Sequence, residues 1–163
     1  SLWQMNHVDY IDRCIEIAKK GEGWVNPNPM VGCVIVNNGE IISEGYHHKF
    51  GENHAERNAI LPLMGDSRLK NSTLYVTLEP CSHQGKTPPC ADLIIDVGIP
   101  EVVISILDPN PLVAGNGVKK LKQAGIKVTV GIGAKKAILL NKFFLNFYEN
   151  KKPYISLKWA DSS

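Results

Sequence analysis

The sequence predicts an α/β fold, a three-layer α/β/α sandwich around a mixed five-stranded sheet. The first observation is the Asn38-Gly39 pair between two strand-like runs, which is a strong signal for an antiparallel hairpin. The second is that strand-like and helix-like segments alternate after this hairpin, which is typical of parallel strands with helices on both faces. The third is the length of 163 residues, which suits one compact domain with a substantial core.

The first half of the chain is predicted to hold a helix, the hairpin and a second helix. Residues 8–20 place apolar side chains at helical spacing. Residues 30–37 and 40–46 form the two hairpin strands. Residues 54–64 have a helical pattern, which Pro62 should end or kink.

The second half continues as alternating strands and helices. The predicted strands are residues 73–78, 101–107 and 127–130, with a last short one at 154–157, and the predicted helices are 90–97, 111–124 and 134–148. In such folds the ligand site lies beyond the C-terminal ends of the parallel strands, where helix N-termini converge. His54 and Cys90 each begin a predicted helix in this region.

The composition excludes several classes of protein. Lys and Arg number 18 and Asp and Glu 16, so the net charge of +2 argues against a nucleic-acid partner. The apolar runs are far shorter than the about 20 residues that a membrane-spanning helix needs. No secretory signal is visible, so we expect a cytoplasmic protein without a membrane partner.

The four cysteines fall into two groups. Cys14 and Cys33 lie in periodic segments and are expected to be buried small side chains. Cys81 and Cys90 each follow a proline in a polar loop. Together with His54 they make a set of three protein ligands for zinc, which leaves a fourth position for water and is typical of a catalytic site. Zn²⁺ is therefore the expected cofactor.

Glu56 lies two residues after His54, in the first turn of a predicted helix. There it can face the zinc-bound water without binding the metal and act as the catalytic proton carrier. A His-x-Glu segment followed by a pair of Pro-Cys segments is the pattern of zinc deaminases of nucleobases. A redox pair or a structural zinc knuckle is the alternative for the two cysteines alone, although a knuckle usually has four ligands and closer cysteines.

Residues 77–90 closely resemble the deaminase domain of bacterial bifunctional riboflavin-biosynthesis deaminase/reductases. Residues 28–32, 51–56 and 108–115 resemble the same family, and the similarity runs from about residue 10 to residue 158. Its most specific part is the gap of eight residues between Cys81 and Cys90, where most nucleoside, cytosine and tRNA deaminases have Pro-Cys-x-x-Cys.

The resemblance implies a cytidine deaminase-like fold and a zinc-dependent hydrolase. The implied reaction is hydrolytic deamination of 2,5-diamino-6-ribosylamino-4(3H)-pyrimidinone 5′-phosphate to 5-amino-6-ribosylamino-2,4(1H,3H)-pyrimidinedione 5′-phosphate and ammonia. Residues 1–150 correspond to the deaminase domain. Residues 151–163 correspond to the linker or first strand of an NADPH-dependent reductase domain that this sequence lacks.

The family's substrate contacts carry over to matching positions of this chain. Asn28 corresponds to an asparagine that holds the base edge or the ribose. Polar residues around the ribose phosphate correspond to His47, His83, Lys86 and Thr87. Asp108 and Asn110 correspond to a pair on the loop after the strand at 101–107.

The expected partner is a small pyrimidine ribotide, and we expect a homo-oligomer, either a dimer or a tetramer. Two other functions stay open at this point. One is a zinc deaminase acting on another nucleobase, on a nucleoside or on tRNA. The other is a non-catalytic binding module that zinc stabilises, although such a module has no use for Glu56.

Overall fold

The computed structural model describes residues 5–23, 28–49 and 51–142. Its strands are β1 (Gly32–Asn37), β2 (Glu40–Tyr46), β3 (Thr73–Leu78), β4 (Glu101–Ile106) and β5 (Lys127–Val130). Its α-helices are α1 (His7–Ala18), α2 (Ala55–Ile60), α3 (Cys90–Asp96), α4 (Asn116–Gln123) and α5 (Ala134–Leu140). Short 3₁₀ turns at Lys19–Gly21, Leu61–Leu63 and Ser67–Asn71 link some of these elements.

The five strands form one mixed sheet in the order β2-β1-β3-β4-β5. β1 is antiparallel to β2 and to β3, whereas β3, β4 and β5 are parallel to one another. Helices α2, α3 and α4 pack on one face, and α1 and α5 pack on the other. The predicted three-layer sandwich with an opening hairpin is therefore confirmed.

The central strands are apolar on both faces because both faces are covered by helices. Along β1, Cys33 and Ile35 contact the layer of α2, α3 and α4, whereas Val34 and Val36 contact the layer of α1. Cys14 is buried in the α1 layer, so the expectation that Cys14 and Cys33 are core residues is confirmed.

The packing of α2 against β2 depends on a glycine. A Cβ atom on Gly45 would lie 2.4 Å from the carbonyl oxygen of Ala55 and 2.5 Å from the amide nitrogen of Ala59. Only glycine permits this approach. Gly45 therefore allows the helix that follows His54 to lie directly on the sheet.

The prediction that a helix begins at residue 111 is wrong, because α4 begins at Asn116. The residues before it form turns, in which the side-chain oxygen of Asn110 accepts the amide of Leu112 and the Asn110 carbonyl accepts the amide of Ala114. Leu112 is 78% exposed, so the apolar pattern there does not mark a core-facing helix. Gly115 then begins the helix with a left-handed backbone at φ 88°.

The other boundaries differ by a few residues at most where the structure describes them. α2 ends at Ile60, and Pro62 lies in the 3₁₀ turn that follows. The expectation that Pro62 ends the helix is therefore confirmed. The end of the helix predicted at 134–148, the strand predicted at 154–157 and the boundary predicted at 150/151 lie outside the described residues. Among the helices that are described, none has the length and apolar character needed to cross a membrane.

Candidate metal centre and substrate pocket

Three ligand-type atoms meet at the C-terminal edge of the sheet. His54 is the residue before α2, Cys90 is the first residue of α3, and Cys81 lies in the loop after β3. The Nδ1 atom of His54 is 3.8 Å from the sulfur of Cys81 and 3.6 Å from that of Cys90. All three ligand atoms lie within 4.8 Å of one another.

This spacing fits a tetrahedral zinc ion. Zinc–sulfur bonds of about 2.3 Å and zinc–nitrogen bonds of about 2.0 Å place tetrahedral ligand atoms about 3.5–3.8 Å apart. One imidazole and two thiolates also neutralise the ion, so the site needs no fourth protein ligand. The residues present therefore fit zinc with one position left for a small molecule.

The two thiols of the cluster differ in their readiness to ionise. The backbone amide of Cys90 donates to the sulfur of Cys81 at 3.2 Å. The side chain of Cys90 hydrogen-bonds to the same sulfur and lowers the pKa of Cys81 to about 4. That bond and burial raise the pKa of Cys90, and the bond with Cys81 raises the pKa of His54. Zinc binding must therefore displace a proton from Cys90.

Glu56 lies in the first turn of α2 and is only 4% exposed. Burial raises its pKa to about 7, and the nearby Cys81 thiolate adds to this effect. A carboxyl group that titrates near neutrality can both accept and donate a proton. Glu56 lines the same cavity as His54 and Cys81.

This inner cavity has a volume of about 340 Å³. Besides His54, Cys81 and Glu56, its polar lining includes four of the residues predicted to bind substrate: Asn28, His47, His83 and Asp108. A second, outer cavity of about 360 Å³ shares Asn28, His54, Cys81 and His83 with it and adds Lys86 and Thr87. The metal cluster therefore borders both cavities: Glu56 and Asp108 line only the inner one, whereas Cys90, Arg57 and Lys86 line only the outer one.

A wider and more open groove of about 530 Å³ lies between α4 and β5. It is lined by Leu107, Gly115, Val118, Lys119, Lys122, Gln123 and Val130. Its charged side chains are two lysines, Lys119 and Lys122, and its lining holds no carboxylate, histidine or cysteine. The groove offers no chemistry comparable to that of the cluster, despite its larger volume.

The remaining predicted contacts lie on the loop after β4. Asp108 lines the inner cavity, and burial raises the pKa of its carboxyl group. Its side chain accepts the amide of Asn110 at 2.9 Å. Asn110 itself lines neither the inner nor the outer cavity, and its side-chain oxygen is engaged by the amide of Leu112 at 3.0 Å.

Residues 4–106 match a family model described as the cytidine and deoxycytidylate deaminase zinc-binding region. This stretch is more than half of the chain and contains the three ligand-type residues and Glu56. The chain belongs to this zinc-binding deaminase family. Zinc as the cofactor is confirmed by the family and by the geometry of the cluster.

Within the deaminase family, several relatives are identical to this chain at about half of the aligned positions. The riboflavin biosynthesis protein RibD of Actinobacillus pleuropneumoniae is 53% identical over 156 residues, which are 96% of this chain and 41% of that protein. A diaminohydroxyphosphoribosylamino-pyrimidine deaminase of Buchnera aphidicola is 53% identical over 135 residues, which are 83% of this chain and 90% of that protein. The resemblance to riboflavin-biosynthesis deaminases is thus confirmed, although the chain spans only about two fifths of the RibD relatives.

Solved structures agree with the sequence relatives. A diaminohydroxyphosphoribosylaminopyrimidine deaminase/5-amino-6-(5-phosphoribosylamino)uracil reductase of Thermotoga maritima superposes with a TM-score of 0.84 at 49% identity, over 89% of this chain and 42% of that chain. The Rib2 deaminase of Aspergillus oryzae has a TM-score of 0.70 at 22% identity, over 96% of this chain and 99% of that chain. The fungal enzyme supports the deaminase fold alone.

Two residues of the deaminase site were missed by the sequence analysis. Arg57 lines the outer cavity with Lys86 and donates to the carbonyl oxygen of Pro88 at 3.0 Å, so it also ties α2 to the cysteine loop. Glu79 lines the inner cavity and is 5% exposed. The position of Glu79 at the end of a buried strand, just before Pro80-Cys81, was the available signal.

Proposed function

We propose that this chain catalyses the hydrolytic deamination of 2,5-diamino-6-ribosylamino-4(3H)-pyrimidinone 5′-phosphate. The products are 5-amino-6-ribosylamino-2,4(1H,3H)-pyrimidinedione 5′-phosphate and ammonia. The observation that carries this proposal is a cluster of three zinc ligands that lies beside the buried Glu56. The cluster borders the inner cavity and the outer cavity, and the outer cavity carries Arg57 and Lys86. The choice of substrate is supported by the Buchnera relative, which is named a deaminase of this chemical class and is matched over 90% of its length.

In this proposal His54, Cys81 and Cys90 hold the metal. When bound, zinc supplies Lewis-acid activation of a water molecule at the fourth position. In this proposal the pyrimidine ring enters the inner cavity with its amino-bearing carbon next to that position. Cys90 and Glu56 are buried on the protein side of the cluster, whereas His54 is exposed, so the substrate itself must cover the open side and keep bulk water from the reacting atoms.

Glu56 carries the protons of the reaction. It accepts one proton from the attacking water and gives it to the ring nitrogen beside the amino-bearing carbon. It then takes the second proton of that water and gives it to the departing amino group. The water oxygen forms the new carbon–oxygen bond, the carbon–nitrogen bond breaks, and ammonia leaves.

The rest of the substrate extends into the outer cavity. Lys86 supplies a positive charge for the phosphate and Thr87 a hydroxyl donor, with His83 at the junction of the two cavities. Asn28, His47 and Asp108 face the ring and ribose from the inner cavity. Asn110 keeps its predicted role only if its bond to Leu112 is exchanged for one to the substrate.

Substrate selectivity tests the proposal. Ammonia release is measured with the phosphorylated substrate, with its dephosphorylated analogue and with dCMP. We expect kcat/KM to be at least about 100-fold lower without the phosphate, because a charge-assisted contact is lost. The variant Lys86→Met should reduce that difference, whereas Lys127→Met, at an exposed lysine of β5, should leave it unchanged. Equal turnover of dCMP would refute the assigned substrate.

A non-catalytic zinc module is disfavoured by the open fourth position and by the burial cost of Glu56, which a structural site would not need. The cytoplasmic location, the dimer or tetramer and the reductase segment at 151–163 stay predictions from the sequence. Sedimentation of the purified chain measures the oligomeric state directly.

A further inference from the structure

Glu79 connects the metal loop to a different loop of the site. It follows β3 and lies two residues before Cys81. Its side chain is almost completely buried and accepts three backbone amides, each at 3.0 Å. The donors are Asp108, Gly115 and Val118, all on the segment between β4 and α4 or in the first turn of α4.

This carboxylate replaces the usual cap of α4. The N-cap residue of that helix is Gly115, which has no side chain to accept an amide of the first turn. The amide of Val118, three residues further on, donates to Oε2 of Glu79 instead. The start of α4 is therefore stabilised from the end of β3 and not by a residue of its own segment.

A close backbone contact reinforces the same connection. A Cβ atom on Gly117 would lie 2.2 Å from the carbonyl oxygen of Pro80. The first turn of α4 is thus seated directly on the residue before Cys81. The other end of the same segment carries Asp108, whose amide donates to Oε1 of Glu79 and whose side chain lines the inner cavity.

We infer that Glu79 is a positioning residue that fixes the substrate wall at Asp108 relative to the metal ligand Cys81. Both of its oxygens act only as acceptors, and each is engaged by at least one amide. A glutamine at this position would keep the shape but present an NH₂ group to one of these amides, so part of the connection would be lost. The inference rests on the proposed function, because the expected effect of Glu79 is on the binding of the proposed substrate.

The variant Glu79→Gln tests the inference, with Glu101→Gln as the control. Glu101 begins β4 at the opposite end of the strand from Asp108 and contacts Thr73 and Lys127. We expect Glu79→Gln to keep its zinc content, to raise KM by about 10-fold or more and to change kcat by less than about threefold. The reason is that the lost charge-assisted hydrogen bonds position the substrate wall and do not involve the reacting atoms. Glu101→Gln should match the unaltered chain in both constants.

Amide hydrogen exchange gives a readout that does not depend on turnover. In Glu79→Gln the amides of Asp108, Gly115 and Val118 should exchange faster, while the amide of Ala91, which donates to Cys81, should not. Unchanged exchange and KM, or loss of zinc together with kcat, would overturn the positioning role. If the unaltered chain itself does not turn over the substrate, the proposed function fails, whereas the exchange result still decides the role of Glu79.

A second variant keeps the test decisive if Glu79→Gln does not fold. Gly117→Ala retains the Glu79 carboxylate, but its Cβ atom would lie 2.2 Å from the carbonyl oxygen of Pro80 and 3.2 Å from Oε2 of Glu79, so the α4 turn must move away from both. It should also raise KM at constant zinc content. An unaltered KM in a folded Gly117→Ala variant would show that the seating of this segment does not control substrate binding.

Discussion

The Nδ1 atom of His47 lies 3.1 Å from the carbonyl oxygen of Asn53, the residue before His54. Because a carbonyl only accepts, Nδ1 carries the proton and Nε2 of the neutral ring is an acceptor. Burial lowers the pKa of His47, which keeps the ring neutral near pH 7. Within the described structure, Nε2 is buried and has no partner. Such an atom suits a hydroxyl or amino donor of the substrate better than a phosphate oxygen.

The first prediction follows from this neutral acceptor. His47→Phe should raise KM about 10-fold, by the same factor for the phosphorylated substrate and its dephosphorylated analogue, because one buried hydrogen bond is lost. Steady-state kinetics with both compounds measures this. His48→Ala, at the exposed neighbour, is the control and should have no effect. An effect confined to the phosphorylated compound would place His47 at the phosphate instead.

The second prediction concerns the stability cost of Glu56. Its folded pKa of about 7 exceeds the ordinary value of 4.5, so the charged form destabilises the fold. This destabilisation is absent below about pH 4.5, grows as pH rises and is complete above about pH 7. Glu56→Gln should therefore stabilise the metal-free chain by about 1–3 kcal/mol at pH 8, and by little at pH 4.5, in urea unfolding.

A control with the opposite sign is Glu44→Gln. The side-chain hydrogen bond from Arg13 lowers the pKa of Glu44, so its stabilisation is present above its ordinary pKa and is lost as pH falls. The free energy of unfolding of this variant should be lower by less than about 1 kcal/mol at pH 8, since the ion pair of Arg13 and Glu44 is partly exposed. If Glu56→Gln destabilised the chain at pH 8 as Glu44→Gln does, the burial argument for Glu56 would be wrong.

The third prediction is that zinc affinity rises with pH. Cys81 has a pKa of about 4 and is already a thiolate near neutrality, whereas Cys90 keeps its proton and must release it. Competition with a chelator between pH 6 and 8 should show about a 10-fold gain per pH unit for each proton released, one from Cys90 and, toward pH 6, a second from His54, whose pKa is raised. Affinity independent of pH would contradict the assignment of Cys90 as a thiolate ligand.

Serine variants of the cysteines separate ligands from core residues. Cys81→Ser and Cys90→Ser should each weaken zinc binding by at least about 100-fold, because a serine hydroxyl is a far poorer zinc ligand than a thiolate. Cys14→Ser is the control matched to Cys90→Ser, since Cys14 is as buried as Cys90 but lies on α1 and donates to the carbonyl oxygen of Tyr75. Its zinc content should equal that of the unaltered chain.

The sheet and the metal cluster could be predicted from the sequence, whereas the hydrogen bonds that join the loops of the site could not. The strand at 73–78 was predicted with its observed bounds because β-branched and aromatic residues, which favour strands, occupy four of its six positions. The zinc ligands His54, Cys81 and Cys90 could be predicted because they belong to a sequence motif typical of zinc deaminases. By contrast, the start of α4 depends on Glu79, which lies 36 residues before Gly115, and no local pattern reports a cap supplied from another strand.

The most direct test is ammonia release from the diaminopyrimidine ribotide by three samples. They are the zinc-loaded chain, the same chain stripped of metal, and zinc-loaded Glu56→Gln with a verified equal zinc content. We predict one ammonia per substrate from the first, and rates lower by at least about 100-fold from the other two. Restored zinc should restore the rate of the stripped chain. No ammonia from the zinc-loaded chain, or a rate near that of the unaltered chain from Glu56→Gln, would contradict the account.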